Sequence, residues 1–99
     1  MWTPVDAGNT LGQTGSEKGT ILKDEEYKDS CRITLEKCPE YYAVTCGIYG
    51  LMCHTTFGEE DLYEKYEKMK RDLQEFLDQD TVSDEEAGEF CERFVGKYR

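Results

Sequence analysis

The spacing of apolar residues changes period once along this chain, near residue 57, and that change bounds what it can fold into. Before it, Cys31, Ile33 and Leu35 alternate with Arg32, Thr34 and Glu36. A period of two gives a strand with one apolar and one polar face. After it, Leu62, Tyr66, Met69, Leu73 and Phe76 recur in steps of four and three, with Leu77 widening the stripe. That is the pattern of a helix buried along one side. A β-rich block followed by a helical block reads as an α+β fold.

Between Thr20 and Phe57, β-branched and aromatic residues are interrupted by turn signals at short intervals. Four strands are expected, near 20–26, 31–37, 41–47 and 51–57. They form a four-stranded antiparallel sheet with two C-terminal helices packed on one face. In the last strand Leu51, Cys53 and Phe57 share one face, while Met52, His54 and Thr56 take the other. On the first helix Asp61–Lys65, Glu64–Lys68 and Glu67–Arg71 place acid four residues before base, the favourable order. The second helix begins at Ser83, where Ser83 and Glu86 make a capping-box signature and Asp84 and Glu85 complement the helix dipole. Ala87, Phe90, Cys91, Phe94, Val95 and Tyr98 form its buried stripe.

Residues 7–19 carry four of the nine glycines among Asn, Thr, Gln and Ser, which reads as a flexible arm. The expected organisation is therefore an arm over residues 1–18 and a single α+β domain over 19–99. Ser16-Glu17-Lys18-Gly19-Thr20 only imitates a phosphate cradle, lacking its Gly-Lys-Ser/Thr ending and its strand–helix setting. Trp2 and Leu11 are the residues available to pin the arm. The N-terminus has no basic start and no apolar stretch, and no run reaches the length of a membrane span, so a cytoplasmic location is expected. The five cysteines contain no Cys-x-x-Cys pair. In a reducing compartment they are expected to be free thiols acting as small buried apolar groups. Cys53 and His54 are neighbours on a strand and point to opposite faces, which argues against a nucleophile–base pair.

The charge is uneven. Of a net -10, residues 1–57 contribute -3 and residues 58–99 contribute -7. Between Asp72 and Glu92 nine acids occur without a Lys or Arg. Such acidity excludes ordinary binding to nucleic acid or to an anionic membrane, both of which need a basic footprint. Asp78 and Asp80 stand out, because they fall at the negative end of the first helix, where the dipole disfavours them. With Glu89 they occupy the first, third and twelfth places of a calcium-loop pattern. Val82 and Ser83 stand where its fifth ligand and its turn glycine belong, so no metal is expected.

Gly47-Ile48-Tyr49-Gly50 admits two readings. If it turns between strands, Ile48 and Tyr49 sit bare at a loop tip. If the strand runs on, they are buried. Arg32-Ile33-Thr34-Leu35-Glu36 followed by Thr45-Cys46-Gly47-Ile48-Tyr49-Gly50, with Met52 and His54-Thr55 after it, resembles a family of small bacterial proteins. The resemblance covers roughly residues 11–57 and takes in Gly15-Ser16-Glu17 and Asp24-Glu25-Glu26. No activity comes with that family, so the resemblance implies only a bacterial, cytosolic, stand-alone domain.

Composition and pattern together point to an acidic protein-binding module that docks a basic partner, of an inhibitor, immunity-like or regulatory kind, with no cofactor. The residues expected to meet the partner are Asp72, Glu75, Asp78, Asp80, Glu85 and Glu89 on the acidic corner. Ile48, Tyr49, Met52 and His54 are expected to do so around the bare part of the sheet. Aromatic and Met side chains on a surface are typical anchors. Two alternatives stay open. One is a small enzyme or ligand-binding domain using His54 with Arg32, Thr34 or Glu36 on the open sheet face. The other is a homodimer pairing through that face.

Overall fold

The computed structural model describes every residue except Asp29, Tyr49, Asp80, Thr81, Val82 and Arg99. Five antiparallel strands follow one another across a single sheet in sequence order. They are β1 (Thr3–Pro4), β2 (Thr20–Tyr27), β3 (Cys31–Lys37), β4 (Tyr42–Ile48) and β5 (Leu51–Phe57). Two helices, α1 (Leu62–Leu77) and α2 (Asp84–Tyr98), complete the chain. The expected count of four strands is corrected to five. Thr3 and Pro4 pair with Glu26 and Glu25, and a two-residue strand containing proline leaves no period to read.

The helical face of the sheet holds the core. Ile33, Leu35, Val44, Cys46, Ile48 and Cys53 meet Tyr66, Met69, Leu73 and Phe76 of α1, and Ala87, Phe94 and Tyr98 of α2. Each of these sheet residues keeps the parity that strand alternation requires. Phe76 stacks on Phe90 with centroids 4.2 Å apart, joining the two helices. The α2 start is the capping box: Ser83 Oγ accepts from the Glu86 N–H at 3.1 Å, and Glu86 Oε1 accepts from the Ser83 N–H at 3.4 Å. None of the three expected acid–base pairs on α1 closes. Glu67 instead meets Lys70 at 3.1 Å, and Lys70 also binds Glu25 of β2.

Cys53 and Cys91 are joined in a disulfide, their Cα atoms 5.7 Å apart. This corrects the expectation of five free thiols. The pair is 38 residues apart, so only the packing of α2 against β5 brings the two sulfurs together. Cys31, Cys38 and Cys46 are free and buried, and burial pushes the Cys31 thiol up to about 12. Among the described residues no helix is long and apolar enough to cross a membrane.

The opposite face of the sheet lies under the N-terminal segment. Glu36 is fully buried there, its carboxylate accepting from the Glu17 N–H at 3.2 Å and the Gly19 N–H at 3.1 Å. Gly15 packs directly on the same carboxylate. Trp2 is the residue that fastens the start of the chain. Its ring lies 5.1 Å from that of Tyr27, and its indole N–H donates to Gln74 Oε1 at 3.2 Å. Leu11, the other expected pin, is half exposed.

Candidate functional site

The acidic corner divides into carboxylates that hold the fold together and carboxylates that face solvent. Asp72, on α1, accepts from Lys97 Nζ at 2.8 Å and from the Tyr98 hydroxyl at 2.6 Å. Partial burial would raise its pKa, but the hydrogen bonds from Lys97 and Tyr98 outweigh it and lower the pKa overall. Asp78, set against the dipole of α1, is likewise compensated. Lys28 Nζ and the Tyr27 hydroxyl each donate to its Oδ1 at 2.7 Å, and these bonds, led by that from Lys28, lower its pKa. Asp72 and Asp78 are therefore engaged within the molecule, Asp78 while its side chain stays exposed. Glu75, Glu85 and Glu89 are exposed, as is Glu92. Asp80 lies outside the described residues.

The apolar candidates also separate. Ile48 is 0% exposed, because β4 continues without a bulge to pair Ile48 with Leu51 and keeps it in step with Val44 and Cys46. It belongs to the core and not to a docking surface. Tyr49 lies outside the described residues. Met52 is 68% exposed, on the outward face with His54.

His54 meets neither Arg32 nor Glu36. Its Nε2 is paired with Glu17 of the N-terminal segment. Arg32 is engaged elsewhere, with Nε and Nη2 donating to the two oxygens of Asp24 at 2.9 and 2.6 Å, while the Thr34 hydroxyl donates to the same carboxylate. Asp24 is 2% exposed. Burial would raise its pKa, and the hydrogen bonds from Arg32, Thr10 and Thr34 reverse that and lower it. Glu25 accepts from the Tyr66 hydroxyl at 2.8 Å. The acid run 24–26 thus supplies two structural carboxylates, one to each face of the sheet.

Among the described residues, several concave surfaces accompany these groups. The largest, about 500 Å³, lies between the N-terminal segment and the outward face and is lined by Thr10, Ser16, Arg32, Thr34, Thr45 and Met52 among others. The Thr45 hydroxyl in that wall is buried without a hydrogen-bond partner among the described residues. A groove of about 400 Å³ between the helices has a floor of Phe76, Phe90 and Phe94 and a mixed rim of Asp72, Glu75, Arg93 and Lys97. A third, about 280 Å³, is formed by Met52, Cys53, His54, Cys91, Glu92 and Val95.

No family model, curated protein or solved structure matches the chain.

Proposed function

We propose that this protein is a small acidic binding module that docks a basic region of another protein, in the manner of an inhibitor or regulatory subunit covering a basic site. The observation that carries the reading is the state of the acids left over once those engaged within the molecule are set aside. Glu75, Glu85, Glu89 and Glu92 are exposed, and among the described residues only Glu89 has a basic partner, Arg93 at 4.0 Å. Their charge is thus largely uncompensated and available to a cationic surface. Complementary fields of this kind speed and orient encounter, and they weaken as salt rises.

The test is capture from lysate on the immobilised full chain at low and high salt, beside a Glu85→Lys, Glu89→Lys, Glu92→Lys triple variant. A basic protein retained by the wild type at low salt, released at high salt and lost from the variant is the expected result. Equal retention by the variant, or recovery of no basic protein at low salt, overturns the reading.

A further inference from the structure

The two edges of the sheet are treated differently. β1 is two residues long and contains Pro4, both of which discourage a further strand from pairing there. β5 has seven residues, no proline, no Lys, Arg, Asp or Glu, and no bulge in its pairing with β4. It pairs with β4 alone, and among the described residues no other backbone hydrogen bond involves 51–57. Leu51 and Met52 are two of its exposed large apolar side chains.

The 280 Å³ groove lies between residues 52–54 of that edge and α2, which packs closely against β5. Met52 and His54 point to the outward face and Cys53 to the helical face, yet all three line one concavity with Cys91, Glu92 and Val95 of α2. Alternate residues of one strand can share a concave surface only where it wraps round the strand's free side. A row of unpaired backbone groups beside a groove is the arrangement to which an extended segment adds as a new strand.

The charges around the edge select the occupant. Glu92 lies in the groove, Glu17 sits beside it on His54, and Glu59, Glu60 and Asp61 are exposed just beyond Phe57. Of the bases near these acids in sequence, Arg93 faces Glu89 at 4.0 Å and Lys65 lies over the Phe57 ring at 5.3 Å. A second copy paired antiparallel about His54 would bring two Glu17–His54–Glu92 clusters together at the axis, acid against acid. An extended segment bearing Lys or Arg meets complementary charge instead. We propose that the free edge of β5 takes up such a segment of the partner protein as a sixth strand, with its basic side chains directed to Glu92 and Glu17. This rests on the basic-partner reading above and adds the mode of docking.

The test uses the full-length protein and a labelled peptide of alternating lysine and threonine, with a glutamate-for-lysine peptide as control. Binding is followed by fluorescence anisotropy and mapped by amide hydrogen exchange. The lysine peptide is expected to bind at low salt and slow exchange in 51–57, and the glutamate peptide to do neither. Met52→Lys, at an exposed site that leaves the melting temperature unchanged, is expected to weaken binding about tenfold by placing a like charge on the edge. Glu92→Gln is expected to weaken it about threefold. Binding with protection confined to α2 overturns the edge proposal and leaves the basic-partner reading standing. No binding of the lysine peptide at low salt overturns the edge proposal, while the capture experiment judges the broader reading by itself. Concentration-dependent protection of 51–57 without peptide gives the edge to a second copy and also overturns it.

Discussion

Gly19 sets how closely the N-terminal segment can approach the sheet. A methyl group there would stand 2.7 Å from the Lys37 carbonyl oxygen and 2.8 Å from Cys38 Sγ, and a backbone oxygen inside a regular strand has little room to move. Gly19→Ala is expected to destabilise the fold by about 1–3 kcal/mol, the usual cost of overpacking. It should also speed limited proteolysis within residues 8–19. Wild-type melting and wild-type cleavage would show that the approach is not tight. At this scale the sequence was only half legible. The glycines were visible, and their number suggested freedom. What Gly15 and Gly19 supply is absence of bulk, which becomes apparent only once Glu36 is known to lie beneath the first and Lys37 and Cys38 beneath the second. Asp78 teaches the complementary lesson. Its conflict with the helix dipole was readable, whereas its partners Tyr27 and Lys28 lie 51 and 50 residues away, beyond the reach of local pattern.

The elements themselves were the most legible part. The periods of two and of 3.6 located β3, β5, α1 and α2 because each buries one face, and burial writes its period into the side chains. β1 escaped because its two residues bury nothing. The disulfide escaped because no spacing rule connects a strand to a helix 38 residues later. In the chain-entropy model a cross-link closing a loop of that length stabilises by about 4 kcal/mol. Reduction, or Cys91→Ser, is therefore expected to lower stability by roughly that amount in urea titrations run with and without reductant. The loss should centre on α2, whose remaining ties to β5 include the Thr55 hydroxyl donating to the Tyr98 carbonyl at 3.4 Å. Identical unfolding curves with and without reductant would refute it.

For the whole molecule, three carboxylates bind separate elements to one another. Asp24 ties β2 to β3 through Arg32 and Thr34, Asp72 ties α1 to α2, and Asp78 ties α1 to Tyr27 and to Lys28 beyond it. Each has a pKa lowered from an ordinary 3.8. A carboxyl depressed on folding contributes stability that is fully present above its ordinary value. That contribution is lost as pH falls through the folded value. Stability is thus expected to be level between pH 7 and 5 on account of these groups and to fall below about pH 4. Denaturant titrations across that range check this, and Asp72→Asn should flatten the fall. A wild-type curve unchanged down to pH 2 would be incompatible with it. The candidate docking surface was legible in part at this scale. The acidic bias of 72–92 was plain, but which acids are already engaged depends on tertiary contacts, and Ile48 changed sides with the extension of β4 by one residue.

The strand order carries one more consequence. Every strand of the sheet lies beside its neighbour in sequence, so each of the four pairings closes only the loop between adjacent strands, and none has to wait for a distant segment. Low contact order of this kind favours rapid folding. The β2–β5 meander can assemble one hairpin at a time. The far-reaching contacts, Trp2 with Gln74 and Cys53 with Cys91, then act as late fastenings on a sheet that already exists.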